Sequence, residues 1–435
     1  MTHVMMDVIE EHLGEAGWLW GMRERAVVAP DYDLSDTSEL EERLLAHVDG
    51  LVEGGPCIAG GMLRPALGEE NLELVCVAAL ALLQTDIAPE NVRSLLCEVG
   101  PAQRPSVLRA LELSTRTGLD DILLPLLHHG AADIQALVLE ALVFREEAPF
   151  EDLTRYLTHE SAQLRRIALR GLSHPTSPTK HHMGRQTLAA ALPADPHEAD
   201  IDVGLTLGDR RAWANCQKRL HDKLAPPGRE TMVLAAIGGG DVETAAIVDL
   251  LHPPETRAGA LWALGFSGRP LAADACLPWL GDSAVAKLAG EAFSNITGLK
   301  LEGPYVLPST QPRQEPVPLE EEDLDADIAP RPEDDLPLPH PEAIASWWHS
   351  ERHRFTDGVR YLLGHPFQGE VLWTALERGP MRRRHEWARE LVIRSGGTLN
   401  IPTRALAHRQ RAALQQTRSR VANLPTGPFS RLNFD

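Results

Sequence analysis

A small residue followed at once by a large apolar residue recurs along this chain, and the apolar members are 27 to 33 residues apart. Each pair falls late in a run of helical hydrophobic spacing. A small residue there lets a neighbouring helix approach closely, and the large residue fills the space between layers. The pairs are Ala79-Leu80, Ala110-Leu111, Ala141-Leu142, Gly171-Leu172, Gly204-Leu205, Ala236-Ile237, Ala263-Leu264 and Ala292-Phe293.

A repeat of this period is typical of stacked helix pairs, in which no pair buries its apolar face alone. Ankyrin and tetratricopeptide signatures are missing from the sequence. We therefore predict an all-α fold with a HEAT-like α-solenoid of short helix pairs at residues 68–302, and we expect every pair to be buried at an equivalent place. The alternative is an irregular helical domain in which Ala-Leu pairs recur by chance.

Two helices precede the repeats, and the sequence predicts that they form an N-terminal helical cap, residues 1–67. The first runs from Val4 to Val28 and ends before a proline, which disfavours helical geometry in the residue ahead of it. The second runs from about Thr37 to Val52, with Ser35 or Asp36 as its N-cap. We expect this pair to cover the apolar face of the first repeat.

Residues 303–342 differ in composition from everything before them. Ten prolines lie between Pro304 and Pro341, and eleven acidic residues lie between Glu315 and Glu342. Such a stretch buries too little apolar surface to offset the entropy lost on ordering. The sequence therefore predicts an acidic, disordered linker here, followed by a basic helical module with Arg and Trp, residues 343–435.

The net charge of −20 is unevenly distributed along the chain. The C-terminal module has fifteen Arg, no Lys and seven acidic residues, a balance of +8, so the first 342 residues carry −28. An acidic surface repels nucleic acid and anionic membranes, so neither is an expected partner. The opposite charges predict weak, salt-sensitive docking of a tethered module on the repeats.

The densest basic cluster lies in this module, where three successive arginines precede a histidine. On a helix three successive side chains point over most of the circumference, and guanidinium groups bind carboxylates or phosphates. Three hypotheses stay open for the cluster: contact with a partner protein, docking on the chain's own acidic segments, and binding of DNA. The candidate partner-binding residues are Arg382, Arg383, Arg384, His385, Trp347 and Trp348.

The sequence contains no motif for catalysis, a cofactor or a metal ion. There is no glycine-rich phosphate loop. The His-Glu dipeptides occupy unlike places in the repeats, whereas a di-iron centre needs ligands at equivalent places. We expect a non-enzymatic protein without cofactor or metal. The alternative is a HEAT-like enzyme of the lyase, hydroxylase or DNA glycosylase type, with carboxylates, histidines or aromatic residues converging on a pocket.

Several features of the sequence predict a cytoplasmic protein. Acidic residues at Asp7, Glu10 and Glu11 stand where a signal peptide has a basic start. The longest apolar run, residues 74–83, is about half of what a bilayer requires. The cysteines are far apart and mostly in helical runs, which is typical of buried thiols in a reducing compartment. They are Cys57, Cys76, Cys97, Cys216 and Cys276.

Six segments carry a resemblance to a known family: Glu15–Trp20, Arg23–Val27, Ala46–Leu51, Leu261–Arg269, Glu291–Gly298 and Gly379–His385. They resemble proteobacterial HEAT-like proteins that are often encoded beside type VI secretion genes. The similarity covers most of the chain outside the acidic linker. It implies an accessory role around secreted effectors, as an adaptor, chaperone or immunity protein, with a secreted effector or a secretion component as partner. It carries over no catalytic residue.

Overall fold

A computed structural model describes residues 5–85, 88–173, 187, 198–222, 224–308 and 331–432. Over these residues the chain is mostly helical, and the two strands they contain are two residues long. The predicted all-α class is therefore confirmed.

Helices that carry a small-large pair alternate in the repeats with helices that connect them. We call the first set the pair helices. In chain order, each pair helix contacts the next. The pair helices are Leu72–Gln84, Arg104–Leu113, Ala132–Phe144, Ala162–Ser173, Glu198–Thr206, Arg229–Gly238, Pro254–Ser267 and Ala286–Thr297. The described helices between them are Pro89–Glu98, Leu119–His129, Phe150–Tyr156, Arg210–Leu220, Asp241–Asp249 and Pro270–Cys276.

The apolar member of every pair is buried, with at most 3% of its surface exposed. The small members are buried as well, except Gly171, which is half-buried. Gly171 also shows why a small residue is needed. A Cβ atom on it would lie 2.8 Å from side-chain atoms of both Leu153 and Val143. The predicted burial of the pairs is therefore confirmed.

Replacing Ala292 by leucine is expected to destabilise the protein by roughly 1 to 3 kcal/mol, because added carbons overpack a filled core. Ala292 has no exposed surface. Its Cα would lie only 3.1 Å from a Cβ placed on Gly265 of the preceding pair helix. Urea denaturation measures the effect, with Ala345→Leu at an exposed helical position as the control. Equal unfolding midpoints for the two variants would contradict this placement of Ala292.

The first two helices, Met6–Ala26 and Leu34–Glu53, pack on each other and on the first pair helix. The second begins earlier than predicted, because its N-cap is Asp33 and not Ser35 or Asp36. The Asp33 carboxylate accepts the N–H groups of Ser35 and Asp36, and the Asp36 carboxylate accepts the N–H of Asp33. This reciprocal cap satisfies donors that the helix itself leaves unpaired. Short helical segments continue to the repeats: Gly55–Ile58, Ala59–Leu63 and Arg64–Ala66.

Both described ends of the predicted disordered linker are ordered, which corrects that part of the prediction. Val306 and Pro339 form an antiparallel β-bridge. Asp335 binds Arg25 at 2.8 Å, and Glu333 binds Arg382 at 3.3 Å. Cations of the folded protein bind these acids, so their charge does not prevent ordering as composition suggested. Residues 309–330 of the predicted linker lie outside the described ranges.

The C-terminal module begins at Pro341, slightly earlier than predicted. Its helices are Pro341–Glu351, Gly369–Arg378, Met381–Arg394 and Ala407–Thr417. Strands Tyr361–Leu362 and His365–Pro366 form an antiparallel hairpin. The turn residues Leu363 and Gly364 have φ angles of 51° and 80°. A two-residue hairpin turn of this kind needs positive φ at both positions.

Buried apolar side chains form two clusters. One contains the N-terminal pair and the first repeats. The other contains the last repeats together with most of the module's apolar residues. The module is thus part of a continuous core with the last repeats, which differs from the tethered, separately folded unit that the sequence predicts.

Candidate functional site

The hairpin of the C-terminal module binds the carboxyl ends of the last two pair helices. Tyr361 donates its backbone N–H to the carbonyl of Gly268 at 2.7 Å, and Leu363 donates to the carbonyl of Asn295 at 2.8 Å. The last carbonyls of a helix have no partner within the helix. The hairpin therefore satisfies acceptors that would otherwise need water.

Glycine is required where the hairpin meets these helix ends. Gly268 has a φ of 65° and Gly298 a φ of 74°. A Cβ on Gly268 would lie 2.0 Å from the Tyr361 carbonyl oxygen, and one on Gly298 would lie 2.5 Å from that of Leu363. Both the left-handed conformation and the close backbone approach exclude larger residues at these two positions.

Arginine side chains of the module reach two further helix-end carbonyls. Arg394 donates from Nη2 to the carbonyl of Ile237 at 2.9 Å, and Arg360 donates from Nη2 to that of Phe266 at 2.9 Å. A cation at the carboxyl end of a helix also interacts favourably with the helix dipole. Module side chains thus hold the carboxyl end of one pair helix that the hairpin also binds and that of the pair helix before it.

In the first repeats, arginines of the repeats themselves bind the corresponding carbonyls. Arg116 donates to the carbonyl of Leu83 at 3.2 Å, and Arg145 donates to that of Leu111 at 3.2 Å. In each case the acceptor belongs to the preceding pair helix. The module therefore performs in the last repeats a capping role that repeat arginines perform in the first ones.

Two of the arginines predicted to bind a partner are buried against the last repeat. They lie in the helix Met381–Arg394, which we call the arginine helix. Arg382 and Arg383 donate from Nε to Oε1 of Glu291 at 3.2 and 3.0 Å. Both guanidinium groups also face the Trp262 ring, 4.5 and 4.3 Å from its centroid. Burial lowers the pKa of Arg383 to about 10, so the group stays protonated at neutral pH.

The next two residues of the cluster have different partners. Arg384 donates to the Leu376 carbonyl and to Oε1 of Gln410, both at 2.6 Å and both within the module. The Nε2 of His385 lies 2.9 Å from the Val27 carbonyl, in the N-terminal pair. The cluster is therefore not one exposed basic patch, since its side chains point into three parts of the protein.

The two candidate tryptophans pack on the last repeat. Trp348 is buried, and its Nε1 donates to Asp274 at 2.7 Å. Its ring lies edge-on to Phe293, the apolar member of the last pair, with centroids 5.3 Å apart. Trp347 is half-buried, 6.1 Å from the same ring. Of the three hypotheses for the candidate residues, docking on the chain itself is the one for which the structure supplies contacts.

A second buried charge network, which sequence reasoning missed, joins the module's hairpin to the arginine helix. Glu390 has no exposed surface and lies between Arg394, at 2.6 Å, and Arg360, at 2.9 Å. Burial alone would raise the pKa of Glu390, but the two arginines outweigh it and lower the pKa. The four-residue spacing of Glu390 and Arg394 indicates a helical ion pair, but spacing alone does not reveal that the pair is buried.

The amino end of the arginine helix binds the loop between the first two helices. Met381 donates its N–H to the Tyr32 carbonyl at 2.8 Å, and Arg382 donates to that of Ala29 at 3.0 Å. The first N–H groups of a helix lack partners within it. The N-terminal pair thus caps the arginine helix.

A buried ion pair strengthens this junction. Arg23 has no exposed surface and binds Glu41 at 3.0 Å. Arg23 also donates to the Ala405 carbonyl at 3.1 Å, and Glu41 accepts the N–H of Ala407 at 2.6 Å. Module contacts with the middle of the array are Arg409 with Glu112, Asn400 with Glu146, Gly397 with Ser173 and Arg389 with Asp202. The module therefore touches the N-terminal pair and the repeats from the second to the eighth.

His385 is expected to make the protein less stable as the pH falls from about 7 to 4. Burial lowers its pKa to about 4 from a usual 6.5, and the neutral ring bridges Val27 and Thr403. A lowered folded-state pKa means that the unfolded chain binds the proton more tightly, so stability is complete above pH 6.5 and is lost below it. The loss is on the order of 2 kcal/mol after allowance for partial exposure.

Urea denaturation across this pH range measures the effect. His385→Gln is expected to flatten the profile between pH 7 and 4, whereas His408→Gln, at an exposed position in the same module, is expected to leave it unchanged. If the free energy of unfolding changed with pH in the same way for wild type and His385→Gln, the prediction that His385 has a lowered pKa would be wrong.

A cleft of about 430 Å³ lies between the start of the second helix and the module. Its arginines have partners within the chain: Arg378 binds Glu377, Arg411 donates to Ser38, and Arg418 lies over the Trp373 ring. The cleft therefore presents no cation that lacks an intramolecular contact. Its lining residues are Asp33, Leu34, Ser35, Trp373, Glu377, Arg378, Arg411, Leu414, Gln415 and Arg418.

A HEAT-like enzyme would need a metal site or a catalytic carboxylate that its substrate can reach. Within the described residues, no three or more His, Cys, Asp or Glu side chains are grouped so that they could hold a metal ion. Glu291 lies beside Trp262, but both of its oxygens bind arginine. A catalytic carboxylate must reach its substrate, and Glu291 is buried.

Two further expectations concern the cysteines and the membrane. Cys76, Cys216 and Cys276 are buried as predicted, whereas Cys57 and Cys97 are exposed. In the described part of the chain, no helix combines the length and the apolar character that a bilayer crossing requires.

A scan against protein-family models finds no family that matches this chain, and a search of the curated proteins finds no matching protein.

Proposed function

We propose that this protein is a non-enzymatic scaffold that binds another protein through the surface of a HEAT-like α-solenoid. The observation that carries the proposal is the row of pair helices, each in contact with the next, with several of them held at the carboxyl end by arginines or by the module. A row of this kind gives a repeat protein a long, continuous surface. The module binds several of these helices at once.

Charge supports a basic partner. The first 342 residues carry −28, and the module's key arginines are already bound inside the protein. The acidic surface is therefore the one that an external molecule meets. Electrostatic attraction speeds association with a basic protein and repels nucleic acid.

The resemblance to HEAT-like proteins encoded beside type VI secretion genes supports a more specific role. We infer a cytoplasmic accessory protein that binds a secreted effector or a secretion component. In this proposal the C-terminal module is not a second, tethered contact for the partner. It binds the carboxyl ends of the last pair helices instead.

The test is affinity purification of the full-length protein from its native cells after cross-linking, followed by rebinding of each captured protein in purified form. We expect one basic protein to rebind with saturable affinity that weakens at high salt. Failure of every captured protein to rebind in purified form would overturn the scaffold proposal.

A further inference from the structure

The first helix, Met6–Ala26, presents one tryptophan to the core and another to solvent. Trp20 is 5% exposed and packs inward with Leu19. Trp18 is 56% exposed. Two residues along a helix correspond to a rotation of about 200°, so the two rings lie on opposite sides. Trp18 therefore lies on the outward face of the helix that ends the stack.

The space around Trp18 is open on one side. Gly14 lies one turn earlier on the same face, and no atom lies within 4 Å of the place where its Cβ would be. Long side chains of a helix lean toward the preceding turn, which here is the turn of Gly14. Because the space beside Gly14 is open, a side chain of another molecule can lie against the face of the Trp18 ring.

The charged residues on this part of the helix are all acidic. Asp7, Glu10, Glu11 and Glu15 are exposed, and among the described residues none of the four takes part in an ion pair. The nearest exposed cation on the helix is Arg25, and it binds Asp335. The surface around Trp18 therefore keeps its negative charge.

We propose that the outward face formed by Glu11, Gly14, Glu15 and Trp18, the Trp18 face, binds a basic segment of a partner protein. A Lys or Arg of that segment lies against the Trp18 ring as a cation–π contact, and neighbouring cations bind Glu11 and Glu15. Tryptophan is among the residues that most often dominate interface energies. This assignment rests on the proposed protein-binding function and deepens it by naming the surface and the chemistry of the partner.

Binding of a labelled, 18-residue amphipathic peptide of Lys and Leu, followed by fluorescence anisotropy, tests the assignment. Trp18→Ala is expected to weaken binding at least about tenfold, while Trp18→Phe retains most of it. The double variant Glu11→Gln/Glu15→Gln is expected to weaken binding and to reduce its salt dependence. The controls are Val242→Ala, at an exposed apolar position, and Glu151→Gln/Glu160→Gln, which removes the same charge elsewhere.

Two outcomes of the peptide-binding and dimerisation measurements would overturn the assignment of the Trp18 face as a binding surface. One is equal peptide affinity for wild type, Trp18→Ala and the two controls, or no peptide binding at all. The other is a concentration-dependent dimer that Trp18→Ala abolishes, because the face would then bind a second copy. A purified partner that binds wild type and Trp18→Ala equally also removes this assignment, yet leaves the scaffold proposal intact. Thermal unfolding of each variant confirms that it is folded.

Discussion

Replacing Glu291 by alanine is expected to destabilise the folded protein by about 3 to 5 kcal/mol, because buried charges lose their counter-ion. The Glu291 carboxylate binds both Arg382 and Arg383, and a third arginine, Arg229, faces the same Trp262 ring at 4.3 Å. Without the carboxylate, the buried positive charges of Arg382 and Arg383 lie together where little water reaches them, although Arg382 keeps its ion pair with Glu333. Urea denaturation at neutral pH measures the change in the free energy of unfolding.

The control is Glu302→Ala, which removes an exposed carboxylate shortly after the same pair helix. It is expected to change stability by less than about 0.5 kcal/mol. Arg383→Met in the Glu291→Ala background is expected to restore part of the lost stability, since it removes one of the unpaired charges. A loss below about 1 kcal/mol for Glu291→Ala would indicate hydrated arginines and hence a module that is not docked.

The helical class and the burial of the small-large pairs were predictable because their signal is local. A small residue next to a large one, late in a helical run, is sufficient to mark the buried side of each pair helix, as Ala263-Leu264 and Ala292-Phe293 show. The last two pair helices end at Gly268 and Gly298. What the sequence did not reveal is that both glycines meet the hairpin: Gly268 contacts Tyr361, 93 residues later, and Gly298 contacts Leu363, 65 residues later.

The burial of the candidate residues could not be predicted for the same physical reason. Three successive arginines look like a solvated or partner-binding face, because their counter-ion is not nearby in sequence. Glu291 lies 91 residues before Arg382 and is buried with it. The charge difference between module and repeats did predict docking, but as a weak surface attraction. Contacts such as Phe429 against Gly238 and Trp348 against Phe293 belong to the core instead.

The C-terminal module is therefore expected to stay bound to the repeats after the chain between them is cut. Apolar burial and buried hydrogen bonds hold the module, and salt does not weaken these as it weakens exposed ion pairs. At 1 M salt the screening length is only about 3 Å, so a docking that depends on surface charge would be lost. The predicted association is thus tight and insensitive to salt.

A protease site inserted between Leu319 and Glu320, outside the described ranges, allows this to be measured. The protein is cut at that site and passed through a size-exclusion column in 0.1 M and in 1 M NaCl. The same experiment on Glu291→Ala provides a matched variant, in which the cut pieces are expected to separate more readily.

Co-elution of the cut pieces is the measurement that tests most directly whether the C-terminal module is part of the array's core. We predict that residues 1–319 and 320–435 of the wild type co-elute as one folded species at both salt concentrations. Separation into two folded species, at 1 M NaCl or at both concentrations, would contradict the integrated module and restore the tethered one.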